Sequence, residues 1–342
     1  MVLPAGTVLA SLALLAAIPA AAGSPALPEG SRLVSVNGHR LHVRTLGAGR
    51  PGPALVLLSG PTGHWHSDSG WFALLQPVLA GRHRVHAIDR AGQGFSDVVP
   101  GASYESFGAD LAVLLPALEH EPPVVLAFAS GNLGLVHLLA RGGRVRAALL
   151  VDPDALHPEL LHFYGDQAEP FQDAAALEAY VNAGKYDARA ERFRVEERAH
   201  LAGIVPPSLA GSMDWPFYDA IARQRTERAR ILARFAETAR YDRDVRGAAA
   251  IPWPPAVPVW TYDTDFERAD AEAETDAARA RELARWRDLS TAWMDGLPGR
   301  CRIGSTSREH LAVVAEAERL AALVDALAAG APCPGEKRGL TP

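Results

Sequence analysis

The side chains with the most chemical potential fall in a few short segments. Ala127-Phe128-Ala129-Ser130-Gly131-Asn132-Leu133-Gly134 sets a hydroxyl in a turn of small residues just after an apolar run. Ser305-Thr306-Ser307-Arg308-Glu309-His310 sets an imidazole just before a helix-like apolar stretch. Asp263, Asp265 and Glu267 follow the run Val257 to Tyr262, and Asp152 and Asp154 follow Ala147 to Val151. Serine, histidine and carboxylate together can form a proton relay. The imidazole takes the hydroxyl proton, the carboxylate fixes the imidazole tautomer, and the oxygen attacks an electrophilic carbon. His64-Trp65-His66-Ser67-Asp68 also gathers two His and an Asp within a few residues, a set that could ligate zinc.

Such residues act only if a scaffold brings them together. Leu33 to Val36, Asn37-Gly38 and Leu41 to Val43 predict a hairpin turned at Asn-Gly. Ala54 to Leu58, Arg84 to Ile88, Val124 to Ala129 and Ala147 to Val151 are short and apolar throughout, as strands buried on both faces are. Helical stretches, Ser106 to Leu118 and Leu133 to Ala140, alternate with them, which makes the sheet parallel. From about Ala155 to Ala250 the pattern turns helical, rich in Glu and Arg, with aromatic punctuation at Phe163, Tyr164, Trp215, Phe217 and Tyr218. Ile251-Pro252-Trp253-Pro254-Pro255 is a stiff connector. A strand at Val257 to Tyr262, a charged helix from about Glu267 to Trp293, a strand near Cys301 to Ile303 and a helix from Leu311 to Ala329 complete the chain. The expected class is α/β, a mostly parallel sheet flanked by helices, with an inserted helical cap. Its core spans 29–154 and 251–330, the cap 155–250 and a tail 331–342.

Composition agrees. The 342 residues are 48% hydrophobic and 22% charged, which excludes a disordered, collagen-like or coiled-coil chain. A net charge of −6 without a basic run gives no footprint for nucleic acid or an anionic membrane. Residues 1–28 carry no charged side chain, and Val8 to Ile18 is almost wholly apolar ahead of Ala20-Ala21-Ala22-Gly23-Ser24. That is the pattern of a secretory signal, too short for a membrane span, and the expected location is secreted or periplasmic. Cys301 and Cys333 are too few for a disulfide scaffold and are not spaced as a zinc site. Export would let them pair, tying the His310 segment to the tail.

The chain from about Leu33 to Ala329 resembles the α/β-hydrolase fold. Arg84-Val85-His86-Ala87-Ile88-Asp89-Arg90-Ala91-Gly92-Gln93-Gly94-Phe95-Ser96 resembles that family's strand and Asp-Arg-x-Gly-x-Gly-x-Ser turn. Leu57-Leu58-Ser59-Gly60 resembles the strand entering the oxyanion loop, and Leu150-Val151-Asp152-Pro153 the strand before the cap. The resemblance implies a nucleophile, an acid and a histidine in that chain order. His310 matches the histidine. For the nucleophile, chemistry favours Ser130, whose flanking Phe128 and Asn132 are bulky. Packing favours Ala129, flanked at −2 and +2 by Ala127 and Gly131. A frame on Asn132 has no nucleophile. The acid is expected at Asp265, then Asp263, with Glu267 favoured by spacing from Pro258 and Asp152 or Asp154 as the alternative placement. The oxyanion donors are expected at Gly131 and, because Pro61 has no N–H, at Thr62. His64 to Asp68 is similar to the start of the metallo-β-lactamase zinc motif, with Ser69 in place of its last His. A parallel-sheet chain ranks that reading below pocket lining. The expected function is a serine hydrolase acting on an ester or related acyl bond of a small, partly apolar substrate. It needs no cofactor or metal, and its partner is a small molecule, with no nucleic acid and no membrane span. The alternative is a non-catalytic binding protein on the same fold.

Overall fold

The structure, a computed structural model, describes residues 26–61 and 63–334. The leader lies almost wholly outside them. Among the described residues eight strands form one sheet: β1 (Ser31–Val36), β2 (His39–Leu46), β3 (Leu55–Leu58), β4 (Val85–Ile88), β5 (Val124–Phe128), β6 (Ala147–Val151), β7 (Val259–Asp263) and β8 (Cys301–Gly304). Their order is β1-β2-β4-β3-β5-β6-β7-β8. Only the β1–β2 and β2–β4 pairs are antiparallel. The first hairpin closes at Asn37 and Gly38, both at positive φ (44° and 88°), as a tight two-residue turn requires.

The apolar strands bury both faces because helices cover both. Leu55, Leu57, Val85, Ala87, Val124 and Leu126 point to one side, against α1 (Leu75–Ala80), α12 (Ala312–Ala315) and α13 (Ala317–Ala328). The intervening Val56, Leu58, Ile88, Val125 and Ala127 point to the other, against α2 (Tyr104–Leu118) and α3 (Gly131–Ala140). Ser103 caps α2: its hydroxyl accepts from Ser106 N–H while Ser106 returns the bond to the Ser103 backbone. The last helix expected from sequence is broken at Glu316 into α12 and α13, and the charged helix is two helices, α10 (Phe266–Ala273) and α11 (Ala277–Gly296).

Between β6 and β7 the chain is helical: α4 (Leu161–Ala168), α5 (Ala174–Asn182), α6 (Asp187–Ile204), α7 (Trp215–Gln224), α8 (Arg228–Ala239) and α9 (Tyr241–Ala249). Cys301 and Cys333 are bonded, with Cα atoms 5.7 Å apart and a sequence separation of 32. A loop of that length contributes about 3–4 kcal/mol by closure entropy. Among the described residues no helix is long and apolar enough to cross a membrane.

Candidate active site

The C-terminal ends of β5 and β6 lie side by side, Phe128 opposite Val151 and Ala129 N–H donating to Val151 C=O at 2.9 Å. The chain turns sharply after β5. Ala129 takes φ +47°, and α3 begins two residues later. The small neighbours are what permit this. A Cβ on Gly131 would lie 2.5 Å from Leu58 C=O, and one on Gly60 would lie 2.2 Å from Ser130 N. The tip of the elbow is therefore Ala129, which lines the cavity beside it. Ser130, expected as nucleophile, is buried beneath the tip, its Oγ 2.6 Å from the Tyr104 hydroxyl. Sterics at −2 and +2 outweigh chemistry here. Gly131, expected as an oxyanion donor, is corrected with it: Gly131 is the small residue packed on β3, and the N–H that follows the tip belongs to Ser130. Thr62 lies outside the described residues.

His310 Nδ1 is 3.0 Å from Asp152 Oδ2. Asp152 leaves β6 at φ +42° and also accepts from Thr264 N–H (2.8 Å) and Thr264 Oγ1 (2.6 Å). The carboxylate that meets His310 is therefore Asp152, one of the alternatives, and the expectation at Asp265 is corrected. Asp265 turns outward in a left-handed conformation and pairs with Arg268 and Arg287. Asp263 is buried under Arg287 and Arg302. Burial disfavours a charged His310, but the Asp152 hydrogen bond and charge, with Glu267 and Asp154 nearby, outweigh it and hold the imidazole above its usual range. Phe128 and Phe266 flank the ring, with centroids 5.0 and 4.2 Å away.

The loop that delivers His310 is tied down by Glu316. Its carboxylate accepts from Ser305, Thr306 and Ser307 and from the Tyr262 hydroxyl. Burial opposes the charge, yet these donors draw the carboxyl down to about 2. The Asp89–Ser96 turn is a second brace. Asp89 holds His42 Nδ1 and Ser69 N–H, both at 2.6 Å, and a Cβ on Gly94 would overlap its carboxylate. Arg90 reaches Glu237 on α8.

His66 and Asp68 make pairs to the cap instead of lining the cavity. Asp68 accepts from Arg225 Nε and Nη2, each at 2.7 Å, Arg225 Nη1 donates to Glu197 on α6 at 2.8 Å, and Glu197 accepts from His66. His64 stacks on Phe193 at 3.9 Å. This loop gives Trp65 to the cavity. Arg225→Met removes the paired cation of two buried carboxylates, Asp68 and Glu197, and stability is expected to fall by about 3–5 kcal/mol in a urea titration. Arg225→Lys should recover only part of it, because one ammonium cannot repeat the forked bond to Asp68.

A cavity of about 310 Å³ opens over Ala129, Asp152 and His310. Its walls include Trp65 from the loop after β3, Tyr164 and Tyr241 from the cap, and Phe266, Glu267 and Trp286 from the segment after β7. A sheet with this strand order, an elbow after β5 and a histidine after β8 defines a hydrolase-type scaffold. The α/β hydrolase fold family model matches residues 53–243, and the chain belongs to that family. It is 34% identical over 158 residues to the pimeloyl-[acyl-carrier protein] methyl ester esterase of Chromobacterium violaceum. That match covers 45% of this chain, and the chain spans about half (55%) of the relative's length. An α/β hydrolase fold protein from Burkholderia ambifaria aligns with TM-score 0.56 and 21% identity over 87% of this chain and 98% of its own. An epoxide hydrolase from Vigna radiata aligns with TM-score 0.59 and 16% identity over 88% and 98%. These two likenesses show the fold.

Proposed function

We propose that the protein is a hydrolase in which His310 and Asp152 activate water, in place of a side-chain hydroxyl, against an ester or related acyl bond of a small, partly apolar substrate. The observation that carries this reading is a His–Asp pair at a cavity wall with alanine at the elbow tip. Water attacks the carbonyl carbon as the His310 Nε2 takes its proton. The carbonyl oxygen gains the electron pair and is stabilised by the N–H of Ser130, the N-cap of α3, where backbone donors have no intrahelical acceptor. The tetrahedral species then expels its leaving group, which receives the proton from His310. No bond to the protein forms. The Chromobacterium violaceum relative, named for methyl ester hydrolysis, supports the ester class. The Cys301–Cys333 bond supports the exported location inferred from the sequence.

The serine route requires Ser130 Oγ to exchange Tyr104 for His310. Turnover of p-nitrophenyl esters is expected to proceed without a burst and to be lost in His310→Ala, while a fluorophosphonate probe leaves the protein unlabelled. Labelling that disappears in Ser130→Ala would select the serine route. Ala129 at the tip also favours a second reading, a binding protein without turnover. Saturable ligand binding with no His310-dependent hydrolysis would select it.

A further inference from the structure

We propose that the cavity over His310 takes a small organic ammonium ion, a cationic head carrying apolar groups, as the charged part of its ligand. This rests on the reading of that cavity as the substrate site. Its walls are aromatic. Trp65 stands edge-on to Tyr241 at 5.4 Å, and Tyr164 stands edge-on to Tyr241 at 5.7 Å and to Trp286 at 6.2 Å. Ring faces carry negative charge density and attract ammonium groups, most strongly where water is excluded.

The charged lining has one sign in excess. Asp152, Asp154, Glu267 and His310 line the cavity, and no Lys or Arg is among the described lining residues. His310 matches Asp152. Asp154 accepts a hydrogen bond from Tyr241 and has no cationic partner in contact among the described residues. Glu267 has no ion-pair partner among the described residues, the charges nearest it being those of Asp152, Arg287 and Asp263. The nearby Arg287 is already engaged by Asp263 and Asp265.

The titration of the two carboxyls agrees with a missing counter-charge. Burial pushes Asp154 up to about 6, against the pull of the Tyr241 bond and His310. Burial, with the charges of Asp152 and Asp263, pushes Glu267 up to about 7, against Arg287. A bound ammonium would restore the balance at both, while an anionic ligand would face like charges on that wall.

The test is calorimetric titration of the full chain at about pH 8, where carboxyls of this kind are ionised. Choline is compared with its uncharged isostere, 3,3-dimethylbutan-1-ol. Choline is expected to bind at least about tenfold more tightly. Glu267→Gln should reduce that preference by about threefold or more, and Asp154→Asn with Glu267→Gln should abolish it while leaving the isostere unchanged. The far-UV spectrum and thermal midpoint check that each variant is folded. Equal affinities, a preference undiminished in Glu267→Gln, a preference that survives the double substitution, or no choline binding at about 10 mM would overturn the proposal. His310→Ala separates the two readings. It should abolish ester turnover and keep the choline preference. A wild-type protein that prefers choline but hydrolyses no ester would sink the hydrolytic reading alone.

Discussion

Ala129→Ser is expected to convert the protein into one that a fluorophosphonate probe labels, and to raise p-nitrophenyl acetate turnover by about 10²–10⁴-fold. The reasons are geometric. Ala129 already holds the left-handed conformation (φ +47°) that a nucleophile at a sharp elbow requires, so the new side chain brings no new backbone strain. It lines the cavity that His310 also lines, and the Ser130 N–H follows it, where the proposed hydrolysis uses an oxyanion donor. The added hydroxyl is small, and stability should change by no more than about 1 kcal/mol. Labelling should persist when Ser130→Ala is added, because Ser130 Oγ is committed to Tyr104 beneath the tip. That second change should instead cost about 1–3 kcal/mol by leaving the Tyr104 hydroxyl without its partner. Mass mapping of the labelled peptide decides the matter. A probe bound at Ser130, or no labelling of folded Ala129→Ser, would refute the assignment of Ala129 to the tip.

Asp152→Asn is expected to lower hydrolysis by about 10³–10⁴-fold, since the amide no longer fixes the productive His310 tautomer or stabilises the imidazolium. It should also move the pH profile. In the proposed reaction the base works only when neutral, so wild-type activity is expected to rise with pH through a limb above the ordinary histidine value, about 6.5. Without the Asp152 charge, burial dominates and the limb moves to lower pH. The effect on stability runs the other way. A histidine raised on folding contributes stability that is complete below its unfolded value and fades as pH rises through its folded value. The wild-type advantage over Asp152→Asn should therefore shrink from about pH 6 to pH 8, read from urea titrations across that range. An unmoved limb would remove Asp152 from the pair.

The sequence alone determined the α/β scaffold. Leu55–Leu58, Val124–Phe128 and Ala147–Val151 are apolar on both faces, and only a sheet covered by helices on both sides buries such segments. It also determined that His310 follows the last strand, and it narrowed the elbow to Ala129 or Ser130. Choosing between them needed three-dimensional contacts, because Gly131 and Gly60 are small for the sake of Leu58 and Ser130, which lie far from them in sequence or across a loop. The acid needed the sheet order. Carboxylates follow both β6 and β7, and only the folded turn, in which Arg287 draws Asp263 and Asp265 away, leaves Asp152 to His310. The brace from Asp68 to Arg225 joins positions 157 residues apart, a separation at which charge pattern carries no pairing information. Local periodicity determines elements because it is a property of neighbouring residues; partners brought together by chain crossing are a property of the tertiary structure alone.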